Sequence, residues 1–321
     1  MKDMHDILRE WKKRRGQRFA LATLVRAEGS SYRRPGARML ICQDGHTIGS
    51  LSAGCLEEEV ATQAQEVLRT CEPAMMTFDT RRRFGCNGKI DIFVERVREG
   101  FLVDLANQLD ARRSCLAVTT FEGSSVGKAG SFPSQNQTVC ENWEANGFPY
   151  SPLMQEIHPP IQLLIFGDGP DNEPIRTLGR LLGWQPTEII DVNDWSMEPD
   201  QWTAAIVKSH NYGRDFVALQ KLLPLNLRYV GLIGPRKRRD QLLGDLLDIG
   251  VAINAGFFAP AGLDLGAETP AEIALAIVCE IQRVFAGGSG ESLQERKMSI
   301  HGTTARTGGY AELDGLKPSS L

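Results

Sequence analysis

The spacing of apolar positions predicts a mixture of helices and strands in the first half of the chain. A first helix carries its apolar face on Met4, Ile7, Leu8 and Trp11. A second helix follows Gly54, with its face on Leu56, Val60, Ala64, Val67 and Leu68. Strands are predicted over residues 19–27, 37–43, 46–52, 74–80, 89–97 and 114–123. Asp44-Gly45 predicts a two-residue hairpin turn, and residues 101–113 predict a further helix. We therefore expect a mixed α+β domain over residues 1–157.

The second half changes to regular alternation of strands and helices after His158-Pro159-Pro160, where two prolines mark a boundary. Buried-strand runs are predicted at residues 161–167, 187–192, 204–209 and 229–234. This alternation is typical of a Rossmann-like parallel α/β domain, which we place over residues 158–286. Thr269-Pro270-Ala271-Glu272 predicts a capping box with a helix-starting proline. Residues 287–321 are expected to be a tail.

Composition narrows the class of protein. The chain has 321 residues, 42% of them apolar, and a net charge of −4, which argues against a general nucleic-acid binder. It has no apolar run long enough for a membrane span, and its first residues do not resemble a signal peptide. A cytoplasmic location is the expectation. The seven cysteines form no CxxC pair, so free thiols are expected rather than a zinc site.

A glycine turn, GDGPDNEP (167–174), follows the first strand of the second half. Gly167 and Gly169 match two glycines of a dinucleotide fingerprint, and Asp191 stands where an acidic residue would bind ribose hydroxyls. Asp168 adds negative charge beside a phosphate site. The alternative is a nucleotide-type fold that binds nothing, or another ligand, at this turn.

Two glycine-containing turns in the first half carry cysteines. In GSLSAGCLEEE (49–59), Gly54 and Cys55 precede a helix, whose N-terminus would favour an anion and a reactive thiol. In RRRFGCNG (81–88), three arginines precede Cys86. The alternatives are buried structural cysteines and a solvated run of charge.

Further polar side chains are candidates for ligand contact. Arg33, Arg34 and Arg38 form a second basic cluster, suited to phosphate recognition. His210 follows the third strand of the second half, where ligands of parallel sheets bind. A cap or loop anchor is the alternative role for this histidine.

These segments resemble the XdhC/CoxI family, the accessory proteins of xanthine dehydrogenase and carbon monoxide dehydrogenase. The matching stretches lie at residues 29–41, 48–60, 84–88, 165–174, 209–215, 229–239 and 259–281. Two departures are Asp168, where a small residue is typical, and Asn87, where glycine is common.

The resemblance implies an accessory factor that binds the molybdenum cofactor (molybdopterin), supports its sulfuration and delivers it to an apo xanthine-dehydrogenase-type hydroxylase. It implies a cofactor chaperone more than a turnover enzyme. Cys55 and Cys86 would be the motif cysteines, with Cys55 as metal ligand. Arg34, Arg38, Gly54, Gly167, Gly169, Asp191 and His210 would contact the cofactor. The expected partners are the apo hydroxylase, a cysteine desulfurase as sulfur donor and further copies of the chain.

The competing hypothesis is an NAD(P)-dependent oxidoreductase that acts on a small substrate. Its support is the arrangement of Gly167, Gly169 and Asp191, which suits NAD(P) or another nucleotide. The first half of the chain shows no recognisable hydride-transfer site, and Asp168 would repel a diphosphate.

Overall fold

The computed structural model describes residues 2–79, 88–121, 128–133 and 152–295. These residues form two compact units, which divide between Pro159 and Pro160. The elements of the first unit are α1 (Lys2–Lys13), β1 (Phe19–Gly29), β2 (Arg38–Cys42), β3 (Thr47–Gly49), α2 (Glu57–Thr70), β4 (Ala74–Asp79), β5 (Gly88–Arg96), α3 (Glu99–Asp110), β6 (Cys115–Thr120), β7 (Lys128–Pro133) and β8 (Leu153–Ile157).

The elements of the second unit alternate between strands and helices. They are β9 (Gln162–Phe166), α4 (Asn172–Leu181), β10 (Gln185–Ile189), β11 (Thr203–Val207), α5 (Tyr212–Leu222), β12 (Tyr229–Leu232), α6 (Arg236–Asp248), β13 (Phe257–Phe258) and α7 (Pro270–Ala286). Short 3₁₀ turns lie at Leu223–Leu225 and Leu293–Glu295. Within the described part of the chain, no helix is both long and apolar enough to cross a bilayer.

The first unit is built on an antiparallel sheet with the strand order β3-β2-β1-β5-β4. Alternate residues of the central strand β1 face opposite sides of this sheet. Ala20, Ala22 and Leu24 pack with α2, whereas Phe19 and Leu21 pack with α1 and α3. Both faces are thus covered, which explains the nearly continuous apolar run in β1.

A smaller antiparallel sheet, with the order β7-β6-β8, completes the described part of the first unit. Cys115 and Ala117 of its central strand share a core with Leu21 of the larger sheet. The two sheets therefore enclose an interior between them. The mixed α+β character that the sequence predicted is confirmed.

The second unit is a parallel sheet with the order β10-β9-β11-β12-β13. Apolar residues of α4 and α7 pack on one face, and those of α5 and α6 pack on the other. The result is the three-layered Rossmann-like arrangement that the alternation predicted. Ligands of such sheets bind at the carboxyl ends of the strands, so the loops that follow β9, β10 and β11 matter most.

Two local signals, a helix cap and a hairpin turn, had different outcomes. The capping box at the start of α7 is present, since Thr269 and Glu272 exchange their side-chain-to-backbone hydrogen bonds. The predicted two-residue hairpin at Asp44-Gly45 is wrong, because the N–H of Cys42 bonds the carbonyl of His46 and three residues lie between them. Gly45 takes a left-handed conformation there (φ +85°), which is typical of three-residue hairpin loops.

Candidate functional site

Two of the polar loops singled out in the sequence leave the same edge of the five-stranded sheet. β1 ends at Gly29 and β3 ends at Gly49, so residues 30–37 and 50–56 begin at this edge. β4 ends there at Asp79, and β5 begins there at Gly88, which pairs with Gly29. The flanks of residues 80–87 therefore lie at the same edge. Cys86 and Arg81–Arg83 themselves lie outside the described residues, so a site shared by Cys55 and Cys86 stays a prediction.

Close backbone contacts explain why glycines stand at these strand ends. Gly49 has φ +87°, and a Cβ on it would lie 2.4 Å from the carbonyl oxygen of Arg38. A Cβ on Gly88 would lie 2.3 Å from the carbonyl oxygen of Ser30. Any larger residue would push the loops and strands of this edge apart.

Arg33 ties the two loops together. Its Nη1 donates to Ser50 Oγ at 2.9 Å, and its Nη2 donates to the carboxylate of Asp3 in α1. Arg34 is half-buried in the same loop, and its carbonyl oxygen accepts from the N–H of Ala37. This arrangement makes Arg33 a structural link between loops.

Arg38 does not lie on the loop surface where the sequence placed it. It is the first residue of β2, and only 1% of it is exposed. Its guanidinium donates to Gln155 Oε1 of β8 and to Thr119 Oγ1 of β6, the latter at 3.4 Å. The side chain thus points into the interior between the two sheets, away from any ligand at the edge.

Cys55 lies in the loop that precedes α2, and it is exposed. Its N–H donates to Ser52 Oγ at 3.2 Å, as does the N–H of Gly54, which has φ +103°. The cysteine thus stands within one turn of a helix N-terminus, and its loop is held by hydrogen bonds along its backbone. Among the described residues, no three His, Cys, Asp or Glu side chains form a metal-binding group.

The N–H groups beside Cys55 are not open to a ligand's anion, which corrects the expectation from the sequence. The carboxylate of Glu57 already accepts from the N–H groups of Leu51, Ser52 and Leu56 and from Ser52 Oγ. Partial burial raises the pKa of Glu57, but hydrogen bonds from Ser52 and from the backbone outweigh it and lower the pKa below its ordinary value. The chain supplies its own anion here.

The glycine turn of the second unit lies where the sequence predicted, between β9 and α4 at the carboxyl edge of the parallel sheet. Gly167 and Gly169 have φ values of +128° and +136°. Asn172, which is 1% exposed, donates from Nδ2 to the carbonyl oxygen of Gly167 at 3.0 Å. The side chain of Asn172 thus braces the turn from beneath.

A buried ion pair fills the space that the second glycine opens. Lys208 is fully buried after β11, and its Nζ donates to Asp171 Oδ1 at 2.7 Å and to Asn172 Oδ1 at 2.6 Å. A Cβ on Gly169 would lie 2.7 Å from Asp171 Oδ1. Gly169 therefore makes room for this carboxylate. The sequence-based prediction missed Lys208, although a lysine at the end of a buried strand beside an aspartate-rich turn was a usable signal.

The charges around this turn are offset pairwise. Partial burial raises the pKa of Asp171, but the hydrogen bond and charge of Lys208 outweigh it, so the pKa lies below its ordinary value. His210, at φ +54°, places Nε2 3.7 Å from Asp171 Oδ2. Asp168 is exposed and lies 3.8 Å from Arg214 Nη1. The negative charge that the sequence attributed to the turn thus has cationic neighbours.

A cleft of ≈ 260 Å³ lies beside the turn, on the face of the sheet that α5 covers. Asp191 lines it two residues after β10, and its carboxylate accepts from the N–H of Asn193 at 2.8 Å. Asp215 forms part of its floor, is fully buried, and accepts from the N–H of Ser209 and from Arg238. The cleft is the remaining open space that the described residues form at this edge next to Gly167.

Family comparison covers both units. The model of the XdhC and CoxI family matches residues 13–79, which include the loops at 30–37 and 50–56. The model of the XdhC Rossmann domain matches residues 163–281. The chain belongs to the XdhC and CoxI family. The glycine turn, Lys208 and the cleft of this XdhC-type chain all fall inside its Rossmann-domain match.

Relatives of this XdhC-type chain include proteins of two bacteria. A probable xanthine dehydrogenase subunit of Bacillus subtilis (strain 168) is 29% identical over 318 residues, which cover 81% of the chain and 91% of that protein. The molybdenum cofactor insertion chaperone PaoD of Escherichia coli (strain K12) is 25% identical, and the match covers 84% of both. A crystal structure of a xanthine dehydrogenase from Bacillus halodurans shares the fold with a TM-score of 0.73 and 24% identity, covering 92% of this chain and 98% of that one.

Proposed function

We propose that this chain is a chaperone for the molybdenum cofactor, which it binds at the loop edge of the first unit and delivers to an apo xanthine-dehydrogenase-type hydroxylase. The observation that carries the proposal is the exposed thiol of Cys55 on a loop that the protein holds in place. The relative named as a molybdenum cofactor insertion chaperone supports the same role.

The chemistry of the cargo fits this edge. The cofactor presents a metal held by sulfur, and thiolates are suitable ligands for such soft, sulfur-rich centres. Cys55 would hold the metal or a sulfide, and Arg34 in the neighbouring loop would contact the phosphate. Cys86 would be a second thiol, since Asp79 and Gly88 on its two sides lie at this edge.

Sulfuration would take place on the chaperone before delivery. In this scheme a cysteine desulfurase supplies the sulfur, and the chain holds the cofactor while its metal acquires it. The chain would then act as a carrier rather than as an enzyme with its own turnover, and it would associate with further copies of itself.

The competing function, an NAD(P)-dependent oxidoreductase, has weaker support. A diphosphate would need the space in front of Gly169, and the carboxylate of Asp171 fills that space. The names of the relatives refer to xanthine dehydrogenase and to cofactor insertion. We therefore assign Gly167, Gly169, Asp191 and His210 no nicotinamide chemistry.

The test is a transfer assay with a cofactor-free xanthine dehydrogenase. Wild-type chain, Cys55→Ser and Cys71→Ser are each loaded with molybdenum cofactor and mixed with the apo enzyme, and the hydroxylase activity that appears is measured. Cys71 is the matched control, because it is also exposed but lies at the C-terminal end of α2. We expect Cys55→Ser to abolish activation and Cys71→Ser to retain it. Full activation by Cys55→Ser would show that the chemistry lies elsewhere.

A further inference from the structure

The loop that carries Cys55 is organised around one carboxylate. Glu57 Oε1 accepts from the N–H groups of Leu51 and Ser52, at 3.1 and 2.8 Å. Glu57 Oε2 accepts from Ser52 Oγ at 2.7 Å and from the N–H of Leu56 at 3.1 Å. Hydrogen bonds to an ionised acceptor are roughly twice as strong as neutral ones, so this carboxylate is the main tie of the loop.

Ser52 passes this constraint on to Cys55. Its hydroxyl group has one hydrogen, which it donates to Glu57, so its lone pairs are left to accept. The N–H groups of Gly54 and Cys55 both donate to that oxygen at 3.2 Å. The backbone of the cysteine is thus fixed by a chain of hydrogen bonds that starts at Glu57, while its thiol stays exposed.

This arrangement exceeds what the start of a helix requires. In the capping box of α7, Glu272 is the third helical residue and accepts from the N–H groups of Glu268 and Thr269, just ahead of the helix. Glu57 is the first residue of α2 and reaches back to Leu51, six positions upstream. Its contacts therefore close a loop rather than only satisfy the helix end.

We infer that Glu57 is a positioning residue, whose carboxylate holds the loop of residues 51–56 in the shape in which Cys55 meets the cargo. The inference rests on the proposed function, since it assigns Cys55 the contact with the cofactor. It adds a residue that makes no contact with the cargo and acts only through the loop.

Four variants separate loop positioning from helix stability. Glu57→Gln removes the charge and turns an amide NH₂ group toward donors. Ser52→Ala breaks only the relay to Cys55, and Ser52→Thr restores the hydroxyl. Glu58→Gln is the matched control, because it removes the same charge from the same turn of α2, and the side chain of Glu58 is exposed.

Two measurements are made on the full-length chain. The first is amide hydrogen exchange at residues 51–56, compared with residues 60–68 in the body of α2, and it needs no cargo. The second is transfer of molybdenum cofactor to the apo xanthine dehydrogenase. For Glu57→Gln we expect exchange at residues 51–56 to rise at least about tenfold and transfer to fall by a similar factor, because several hydrogen bonds to a charged group are lost. Ser52→Ala should lower transfer, whereas Ser52→Thr and Glu58→Gln should match wild type.

The outcomes that overturn the inference differ from those that overturn the proposed function. Unchanged loop exchange in Glu57→Gln, or equal losses in Glu57→Gln and Glu58→Gln, would show that Glu57 does not position the loop. Faster loop exchange with full transfer would do the same, provided that Cys55→Ser abolishes transfer. Full transfer by Cys55→Ser would overturn the proposed function itself. If Glu57→Gln fails to fold, Ser52→Ala with its Ser52→Thr rescue decides, because it leaves the backbone contacts of Glu57 in place.

Discussion

Replacing Glu95 with glutamine should stabilise the first unit at neutral and alkaline pH. Glu95 is 3% exposed, and among the described residues neither of its carboxyl oxygens has a hydrogen-bond partner. Burial raises the pKa of this carboxyl to about 7, although the positive charges of Arg38 and Arg98 pull it down. Glutamine has nearly the same shape and no proton to lose.

The size and sign of the effect follow from the shift in pKa. The unfolded chain loses the proton near its ordinary pKa of 4.5, whereas the folded chain keeps it until about 7. Between these values the folded state holds the extra proton, so the free energy of unfolding falls by about 1.4 kcal/mol for each pH unit. The total loss is on the order of 3 kcal/mol above pH 7, and it is absent below pH 4.5.

The assay is native-state amide hydrogen exchange of β1 and β5 at several pH values from 5 to 8, corrected for intrinsic exchange. It reports on opening of the first unit alone. We expect Glu95→Gln to gain about 3 kcal/mol relative to wild type between pH 5 and pH 8. Glu72→Gln, at an exposed position, controls for the substitution itself. Parallel pH curves for wild type and Glu95→Gln would refute the assignment of a buried carboxyl with a raised pKa.

Two further substitutions test the glycine turns. Asp171→Ala removes the carboxylate from the turn and leaves the charge of Lys208, so inorganic phosphate should bind about tenfold more tightly by calorimetry. Asp168→Ala, whose side chain is exposed, should have a smaller effect, and equal affinities for all three proteins would refute the view that Asp171 fills the site. Gly49→Ala should destabilise the chain by at least about 1 kcal/mol in thermal unfolding, because of the positive φ and the contact with Arg38. An unchanged midpoint would contradict this.

Elements whose partners are implied by their own pattern were predictable from the sequence. The buried face of α1, Met4, Ile7, Leu8 and Trp11, follows directly from helical spacing. The parallel sheet of the second unit follows from the alternation of apolar runs with helices. The two-residue strand β13 was missed because Phe257 and Phe258 carry no periodicity, and only their pairing with β12 makes them a strand.

Long-range polar partners were the part that the sequence did not reveal. Arg38 was grouped with the basic loop before it, but as the first residue of a strand it points inward to Gln155, which is distant in the chain. Lys208 and Asp171 are likewise brought together only by the order of the strands. Charge near a glycine turn can serve a ligand or the protein itself, and the local sequence is the same in both cases.

The two glycine-containing turns share one physical device, and the difference between them decides which can meet a cargo. Each leads into a helix, and each places a carboxylate of the chain at that end, Glu57 before α2 and Asp171 before α4. Backbone N–H groups and a buried lysine need anionic partners when no ligand is present, and a nearby carboxylate supplies one. In the second unit the reactive amine of Lys208 is thereby consumed in a buried pair. In the first unit the same device leaves the thiol of Cys55 exposed on an ordered loop, so a soft metal cargo belongs at this edge rather than at the glycine turn of the Rossmann domain.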